Sequence, residues 1–246
     1  MMAQTGFSGP APKALLFDVF GTVVDWRTSA IQELRSYGQA RGLDVNWEAF
    51  ADDWRGLYQP SMEEVRNGNR SFAILDDLHR ESLRTLINKY DLPRPGEREE
   101  DQLVTIWHRL KPWPDVVEGL YRLKRNFILA TLSNGNIGLM VRLAKHSGLP
   151  WDAVLGSEVS GDYKPQPHVY RASAAALNLR ESECMMVAAH NDDLAAASQV
   201  GFQTAFVARP NEYGPNQVRD KHATYAWDIV TDSFSGLADL LNCPRH

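Results

Sequence analysis

The chain has 246 residues, of which 43% are hydrophobic and 23% are charged, and its formal net charge is −5. This length and composition are ordinary for a globular protein that buries a sizeable core. The absence of a run of Lys and Arg argues against a nucleic-acid-binding surface and against electrostatic docking to a membrane. With this negative balance, an anionic ligand would have to be held by a few local cations.

The first 13 residues, MMAQTGFSGPAPK, have no charged region followed by an apolar stretch. We expect a loose tail there and not a signal peptide. Apolar runs such as FILATL (127–132) are far shorter than the ~20 residues that span a bilayer. Two cysteines, Cys184 and Cys243, do not make a disulfide framework. We therefore expect a cytoplasmic protein.

Short apolar segments alternate with amphipathic ones along most of the chain. The predicted strands are 14–18, 127–133, 153–156, 184–189, 204–208 and 228–230. The predicted helices between and after them are 115–125, 137–147, 167–177, 192–200 and 233–241. Strands separated by single helices predict an α/β fold with a doubly wound parallel sheet. Strands that read as nearly continuous apolar runs are typical of such a sheet, because both of its faces are covered.

Residues 29–110 break this alternation with four helical stretches at 29–42, 47–66, 71–90 and 97–110. Turn sequences such as NGNR and DLPRPGE separate them. No convincing strand occurs in this segment. The pattern indicates a helical insertion between the first strand and the rest of the sheet.

Polar residues follow the predicted strands, and ligands bind at the carboxyl edge of a parallel sheet. These residues are Asp18 and Thr22, then Ser133 and Asn134, then Lys164, and finally His190, Asn191, Asp192 and Asp193. Each group has a simpler explanation as a helix cap or a turn. We prefer one shared site, since a single site explains all four groups together.

Four motifs resemble, in order and spacing, those of the haloacid dehalogenase superfamily: FDVFGT, LSNG, YKPQPHVY and the acidic segment AAHNDD. The resemblance covers almost the whole chain after residue 13. It implies a Rossmann-like core formed by residues 1–28 and 111–246. It also implies a helical cap domain formed by residues 29–110.

Two positions favour the (S)-2-haloacid dehalogenase branch over the magnesium-dependent phosphatases of this superfamily. The phosphatases carry a second aspartate where this chain has Phe20, which cannot transfer a proton. They also begin the fourth motif with an acid that helps to hold Mg²⁺, and this chain has Ala188 and Ala189 there. The resemblance therefore implies hydrolytic dehalogenation of small 2-haloalkanoic acids, without a cofactor or a metal. A phosphatase acting on a small phosphomonoester is the alternative, and a non-catalytic binding protein is a third.

The same resemblance implies a role for each site residue. Asp18 would be the nucleophile that forms an ester, Thr22 would steady it, Lys164 would keep it ionised, and Asp193 would position or activate water. Substrate would be held by Ser133, Asn134, Phe20, Tyr170 and Asn191, with Arg55 of the segment DDWRGLY as the halide-binding arginine. Arg66 and Arg70 are weaker candidates for that role.

His190 departs from the family, which usually has asparagine at this position. Its imidazole could accept a proton from the water or donate one to the halide. Haloacetates and L-2-chloropropionate are the expected substrates, and fluoroacetate is an open alternative, because a proton donor near the halide would help to break a strong C–F bond. The expected partner is therefore a small anionic haloacid. Dimers are common in the family, which makes a homodimer an open alternative to a monomer.

Overall fold

The computed structural model describes residue 7 and residues 9–245. Within these residues there are seven strands: β1 Ala14–Phe17, β2 Val24–Asp25, β3 Lys111–Pro112, β4 Ile128–Thr131, β5 Cys184–Ala188, β6 Gln203–Val207 and β7 Ile229–Thr231. The α-helices are α1 Trp26–Arg41, α2 Trp47–Gly56, α3 Tyr58–Arg66, α4 Leu75–Lys89, α5 Glu97–Val104, α6 Val116–Leu123, α7 Ile137–Ser147, α8 Pro167–Ala176, α9 Asn191–Gln199 and α10 Phe234–Leu240. Short 3₁₀ turns occupy Thr105–His108, Ser157–Val159 and Glu181–Glu183.

Five of the strands form one parallel sheet in the order β4-β1-β5-β6-β7. The register pairs Phe17 of β1 with Thr131 of β4 and with Val187 of β5. The three strands therefore end at nearly the same level, and the polar residues that follow them emerge at one edge. The predicted doubly wound α/β fold is confirmed.

Alternate side chains of β1 enter two different parts of the core, as the twofold repeat of a strand requires. Leu15 and Phe17 pack into a large cluster that continues into the helical segment. Ala14 and Leu16 pack into a second cluster, which is formed with residues of β5, α8 and α9. Both faces of β1 are fully buried, so the chain that follows is held firmly at the sheet edge.

The helical insertion is present between β1 and β4, where α1 to α5 follow one another. Its own core is rich in aromatic rings, with Trp54 and Trp107 packed edge to face at 5.4 Å. Phe20 packs edge to face on Trp107 at 6.1 Å, which continues this aromatic cluster to the turn after β1. The division of the chain into a core domain and a cap domain with the boundaries given above stays a prediction.

Several predicted elements differ from the structure in detail. Residues 153–156 make only one bridge, between Ala153 and Ala130 of the edge strand β4. The stretch 47–66 is divided at Leu57 into two helices. The short antiparallel pair β2–β3 was not predicted, since two-residue strands leave no period to detect. The expected loose tail falls largely on residues 1–6 and 8, outside the described residues.

Within the described range, no helix is long and apolar enough to cross a membrane. Cys184 and Cys243 are both buried free thiols.

Candidate active site

A cavity of about 320 Å³ lies between the carboxyl edge of the sheet and helices α2 and α3. The sheet side contributes Asp18, Asn134, Lys164, Tyr170, His190 and Asp193. The opposite side contributes Arg55, Tyr58, Gln59, Glu63 and Arg66. Tyr213, Arg219 and Asp220, which come from the loop after β6, complete the wall. The cavity therefore joins residues that are far apart in the sequence.

Asp18 directly follows β1 and is nearly buried, and both of its carboxylate oxygens face donors. Lys164 Nζ lies 3.0 Å from Oδ1, and the Thr22 hydroxyl donates to Oδ2 at 2.7 Å. His190 Nδ1 lies 3.2 Å from the same Oδ2. Burial by itself would raise the pKa of Asp18, but Lys164, His190 and Thr22 together lower it far below its usual range. Asp18 is thus an ionised carboxylate at neutral pH.

Lys164 links two carboxylates, since its Nζ also donates to Asp193 Oδ2 at 2.5 Å. Tyr170 donates its hydroxyl to the other oxygen of Asp193 at 2.6 Å. Burial raises the pKa of Asp193, Lys164 lowers it, and the neighbouring Asp18 raises it again, so that the net shift is upward. Of the two carboxylates, Asp193 is therefore the stronger base.

His190 lies between two carboxylates. Its Nε2 is 2.8 Å from Glu212 Oε2, and its Nδ1 faces Asp18 as described above. Burial of the ring lowers the pKa of His190, but Glu212 and Asp18 outweigh this effect and raise the pKa well above its usual value. The ring is therefore an imidazolium at neutral pH.

Arg55 lies at the other side of the cavity, at the C-terminal end of α2. Its guanidinium is stacked 4.0 Å from the Tyr58 ring and 5.4 Å from the Trp26 ring. Over the residues that the structure describes, it makes no ion pair with a carboxylate, whereas neighbouring Arg27 pairs with Asp52. Arg55 is thus a cation held by aromatic rings and available to an anion in the cavity.

Asn134 connects the loop after β4 to the loop that carries Lys164. Its Oδ1 accepts a hydrogen bond from the backbone N–H of Lys164 at 2.8 Å, which fixes the start of the Lys164 loop. The adjacent Ser133 is also buried. Its hydroxyl oxygen accepts from the Gly135 N–H at 3.2 Å, within its own turn.

The family model of the haloacid dehalogenase-like hydrolases matches residues 12–201. The chain belongs to this family. An (S)-2-haloacid dehalogenase of Burkholderia cepacia is 30% identical over 210 residues, which are 82% of this chain and 86% of that protein. The family prediction drawn from the four motifs, and with it the prediction of a hydrolase, is confirmed.

Solved structures of this family include two with high similarity over nearly the whole chain. A defluorinating L-2-haloacid dehalogenase has a TM-score of 0.94 at 42% identity, covering 98% of this chain and 100% of its own. A second L-2-haloacid dehalogenase has a TM-score of 0.92 at 43% identity, covering 95% and 100%. A ribulose-1,5-bisphosphate 5-phosphatase of Halopiger xanaduensis is 26% identical over 245 residues, 93% of this chain and 99% of that protein.

Several predicted site residues of this hydrolase take other positions or roles. Asn191 lies outside the cavity: its amide donates to Asp220 Oδ1 and to the His222 carbonyl, and its Oδ1 accepts from Trp227 Nε1. It ties α9 to the loop before β7, and its predicted contact with substrate stays a prediction. Ser133 does not line the cavity either, and its hydroxyl serves the turn.

Both ring nitrogens of His190 face carboxylates, Nδ1 that of Asp18 and Nε2 that of Glu212. The two roles suggested for its imidazole, accepting a proton from the water or donating one to the halide, stay predictions. Arg66 lines the cavity but is already bound to Glu63 and to the Lys164 carbonyl. Arg70 pairs with Glu81 outside the cavity. Arg55 is therefore the better placed of the three arginines for a halide.

Glu212 was missed by the sequence analysis, although it is only 1% exposed and directly bonded to His190. It occurs in the segment ARPNEYGP, in an irregular loop where no periodic pattern distinguishes a buried acid from an exposed one. The sequence shows only that residue 21 is glycine. Its positive φ of 91° and its approach to the Glu212 carboxylate, so close that a Cβ would overlap it, are visible only in the structure.

Proposed function

We propose that this protein hydrolyses the carbon–halogen bond of small 2-haloalkanoic acids through a covalent ester on Asp18. The observation that carries the proposal is an ionised aspartate at the base of a cavity, held by Lys164, with Arg55 on the facing wall. Halide leaves as an anion, so the reaction needs a nucleophile and a cation but no acid for the leaving group. The names of the relatives agree with this chemistry.

In the first step, a carboxylate oxygen of Asp18 attacks the carbon that bears the halogen. The new C–O bond forms as the C–halogen bond breaks, and the halide departs with the bonding electrons. Arg55 holds the leaving anion, and Asn134 borders it from the sheet side. Lys164 keeps the attacking carboxylate charged and fixed in place, which lowers the cost of reaching the reactive geometry.

In the second step, water attacks the Asp18 carbonyl carbon of the ester. Asp193 takes one proton from the water, since its pKa is raised relative to that of Asp18. The tetrahedral intermediate then breaks the bond between the carbonyl carbon and the substrate oxygen. The alkoxide recovers the proton from Asp193 to give the 2-hydroxy acid, Asp18 returns as a carboxylate, and the second proton of the water goes to solvent.

Small substrates suit this site, because Phe20, Tyr58 and Tyr213 limit the cavity with rigid rings. Haloacetates and L-2-chloropropionate are the first candidates. Fluoroacetate is a further candidate, because one of the similar solved structures is that of a defluorinating L-2-haloacid dehalogenase. His190 does not assist fluoride departure by donating a proton, since both of its N–H groups already face carboxylates.

The phosphatase alternative is less well supported by the same geometry. A phosphatase of this superfamily would bind Mg²⁺ at the nucleophilic aspartate, but in this chain Lys164 and His190 lie against the two oxygens of Asp18. A divalent cation there would be repelled by both. Phe20, buried among aromatic rings, supplies no acid for a phosphate leaving group.

The test is release of halide by EDTA-treated protein from fluoroacetate, chloroacetate and each enantiomer of 2-chloropropionate, with a phosphomonoester assayed in parallel with and without Mg²⁺. We expect halide release that survives EDTA and is lost in Asp18→Asn. Phosphate release that needs Mg²⁺, with no halide from any acid, would overturn the proposal in favour of the phosphatase.

A further inference from the structure

Glu212 is a buried carboxylate in the loop between β6 and β7. Only 1% of its surface is exposed. Its Oε2 is 2.8 Å from His190 Nε2, and its Oε1 accepts a hydrogen bond from Trp26 Nε1 at 3.1 Å. Burying a charged carboxylate is costly unless it is paired. Both of its oxygens have partners, and its ionic partner is the ring that faces the nucleophile.

The two carboxylates fix the protonation of His190 by geometry. A neutral imidazole carries one N–H group and one nitrogen lone pair. With a proton on Nε2 only, the lone pair of Nδ1 would face the Asp18 carboxylate at 3.2 Å. With a proton on Nδ1 only, the lone pair of Nε2 would face Glu212 at 2.8 Å. An imidazolium alone has a donor for each carboxylate.

Other charged groups near His190 leave this arrangement intact. Lys164 pairs with Asp18 and with Asp193, and neither Lys164 nor Asp193 is bonded to His190. The exposed carboxylate of Asp192 lies in the first turn of α9, just after His190. Arg55 and Tyr213 border the cavity on the side of Glu212. The buried cluster of Asp18, Asp193 and Glu212 with Lys164 and His190 contains three negative and two positive charges, and Arg55 is the next cation.

Asp18 Oδ2 has the contacts expected of an oxygen that becomes an oxyanion. It accepts from Thr22 and faces His190 Nδ1, whereas Oδ1 faces Lys164 alone. When water adds to the ester, the carbonyl oxygen of Asp18 gains a full negative charge. Preorganised donors at that oxygen lower the barrier, because they need no rearrangement as the charge develops.

We propose that Glu212 is a positioning residue that aims the His190 imidazolium at Asp18 Oδ2, where His190 and Thr22 together stabilise the oxyanion of ester hydrolysis. The inference rests on the proposed function, since it concerns the second step of that reaction. Oδ1 is then the oxygen that bonds to the substrate carbon. His190 keeps its proton throughout, and the proton of the attacking water still goes to Asp193.

The experiment follows single-turnover reactions with chloroacetate by chemical quench and measures the Asp18 ester by mass spectrometry. The variants are Glu212→Gln, His190→Asn and the double variant. Asp76→Asn is the matched control, because half-buried Asp76 also pairs with a histidine, His108, at 2.8 Å and lies away from the cavity. In Glu212→Gln we expect ester formation within a few-fold of the wild type and hydrolysis about 10- to 100-fold slower, so that the ester accumulates.

Two further readouts separate positioning from a merely structural role. The double variant is expected to hydrolyse its ester no more slowly than His190→Asn, because Glu212 acts only through His190. In Glu212→Gln, hydrolysis is expected to slow as the pH rises through neutrality, since His190 then loses its proton, while the wild type stays flat. Asp76→Asn is expected to keep the wild-type ratio of the two steps.

Three results would overturn the inference. They are equal slowing of both steps in Glu212→Gln, hydrolysis unchanged in that variant, and additive effects in the double variant. Each of these presumes that the wild type forms the Asp18 ester. If no haloacid gives an ester in the wild type, the proposed function itself fails, and the two failures are therefore distinguishable.

Discussion

Lys164 is the residue on which the charge balance of the site most depends. It lies between Asp18 and Asp193 and is itself nearly buried. Burial lowers the pKa of Lys164, but the two carboxylates outweigh burial and raise it. Without the ammonium group, two buried carboxylates would face each other with no cation between them. The lysine thus has a structural effect as well as a chemical one.

Replacement of Lys164 by methionine is expected to lower the free energy of unfolding by about 3–5 kcal/mol at neutral pH, because it leaves buried charges uncompensated. It is also expected to abolish halide release, since Asp18 is then no longer held as an ionised nucleophile. Urea denaturation gives the first quantity. Lys145→Met, on the exposed face of α7, is the control and should change stability by no more than about 0.5 kcal/mol. Equal effects of the two changes would contradict this account of Lys164.

Because the pKa of His190 is raised in the folded protein, the stability that His190 contributes falls as the pH rises. In the unfolded chain a histidine titrates at roughly 6.5, and in the folded protein the pKa of His190 lies well above that value. Its contribution to stability is therefore fully present below about 6.5, falls as the pH rises beyond it, and is lost once the pH passes the folded-state pKa.

Thermal melting of the wild type and of His190→Gln from about pH 6 to pH 9 tests this direction. The melting temperature of the wild type should fall toward that of the variant as the pH rises. A difference that grows with pH would contradict the charged form of His190.

At the scale of elements, the turn from β1 into β2 brings the nucleophile and the Glu212 loop together. Gly21 adopts a φ of 91°, which side chains rarely permit. It also lies against the Glu212 carboxylate without space for a Cβ. The Gly21 carbonyl accepts a hydrogen bond from Trp113 Nε1 at 2.8 Å, which fixes the turn from the other side. The glycine is required both for its backbone conformation and for its small size.

Gly21→Ala is expected to lower the free energy of unfolding more than Gly148→Ala does. Gly148 has a φ of 65°, and nothing lies within 4 Å of an added Cβ there. The control should cost about 1–2 kcal/mol for the left-handed conformation alone. Gly21→Ala should cost about 1–3 kcal/mol more, because the Glu212 carboxylate must move. Urea denaturation of both variants measures the difference. Equal costs would mean that Glu212 is not held against this turn.

How far the sequence predicts the structure also depends on the element. The strands that follow one another as buried apolar runs are predictable, and so is their convergence at one edge, which brings Asp18, Lys164, His190 and Asp193 together. Residues 153–156 look like a strand but lie beyond the edge strand β4, where one bridge is all that forms. An apolar run in the sequence does not show whether the segment will lie inside the sheet or beyond its edge strand.

Side-chain direction at the start of a helix was less predictable. Asn191 and His190 are adjacent in the fourth motif, yet one faces the loop at 220–227 and the other faces Asp18. The rotation of α9 decides between these directions, and it depends on packing across the whole layer. The burial of Glu212 likewise depends on Trp26 and His190, which are 186 and 22 residues away in the sequence.

For the whole molecule, the net charge of −5 opposes the approach of an anionic haloacid. Arg219 offsets this repulsion locally: it is exposed at the rim of the cavity, and its guanidinium stacks 4.2 Å from the Tyr213 ring. Together with Arg55 it places positive charge on the wall of the cavity. We therefore expect local cations to attract an anionic ligand although the global field does not.

Arg219→Gln is expected to lower kcat/KM for a haloacid by about threefold at low ionic strength, with kcat little changed, and to weaken the dependence of kcat/KM on salt. Arg142→Gln, on the exposed face of α7, removes the same charge from the molecule but lies away from the cavity. Steady-state kinetics at two salt concentrations compare them. Similar effects of both changes would show that net charge matters and the position of Arg219 does not.

A single turnover in ¹⁸O-labelled water, with enzyme in excess over chloroacetate, distinguishes a covalent Asp18 ester from direct attack of water on the substrate. Trypsin cuts after Lys13 and Arg27, so Asp18 lies in the peptide of residues 14–27, and fragmentation separates it from Asp25. A covalent Asp18 ester predicts ¹⁸O in the Asp18 carboxylate and unlabelled oxygen in the product hydroxyl group. Labelled product, with an unlabelled Asp18, would show that water attacks the substrate directly and would contradict the account.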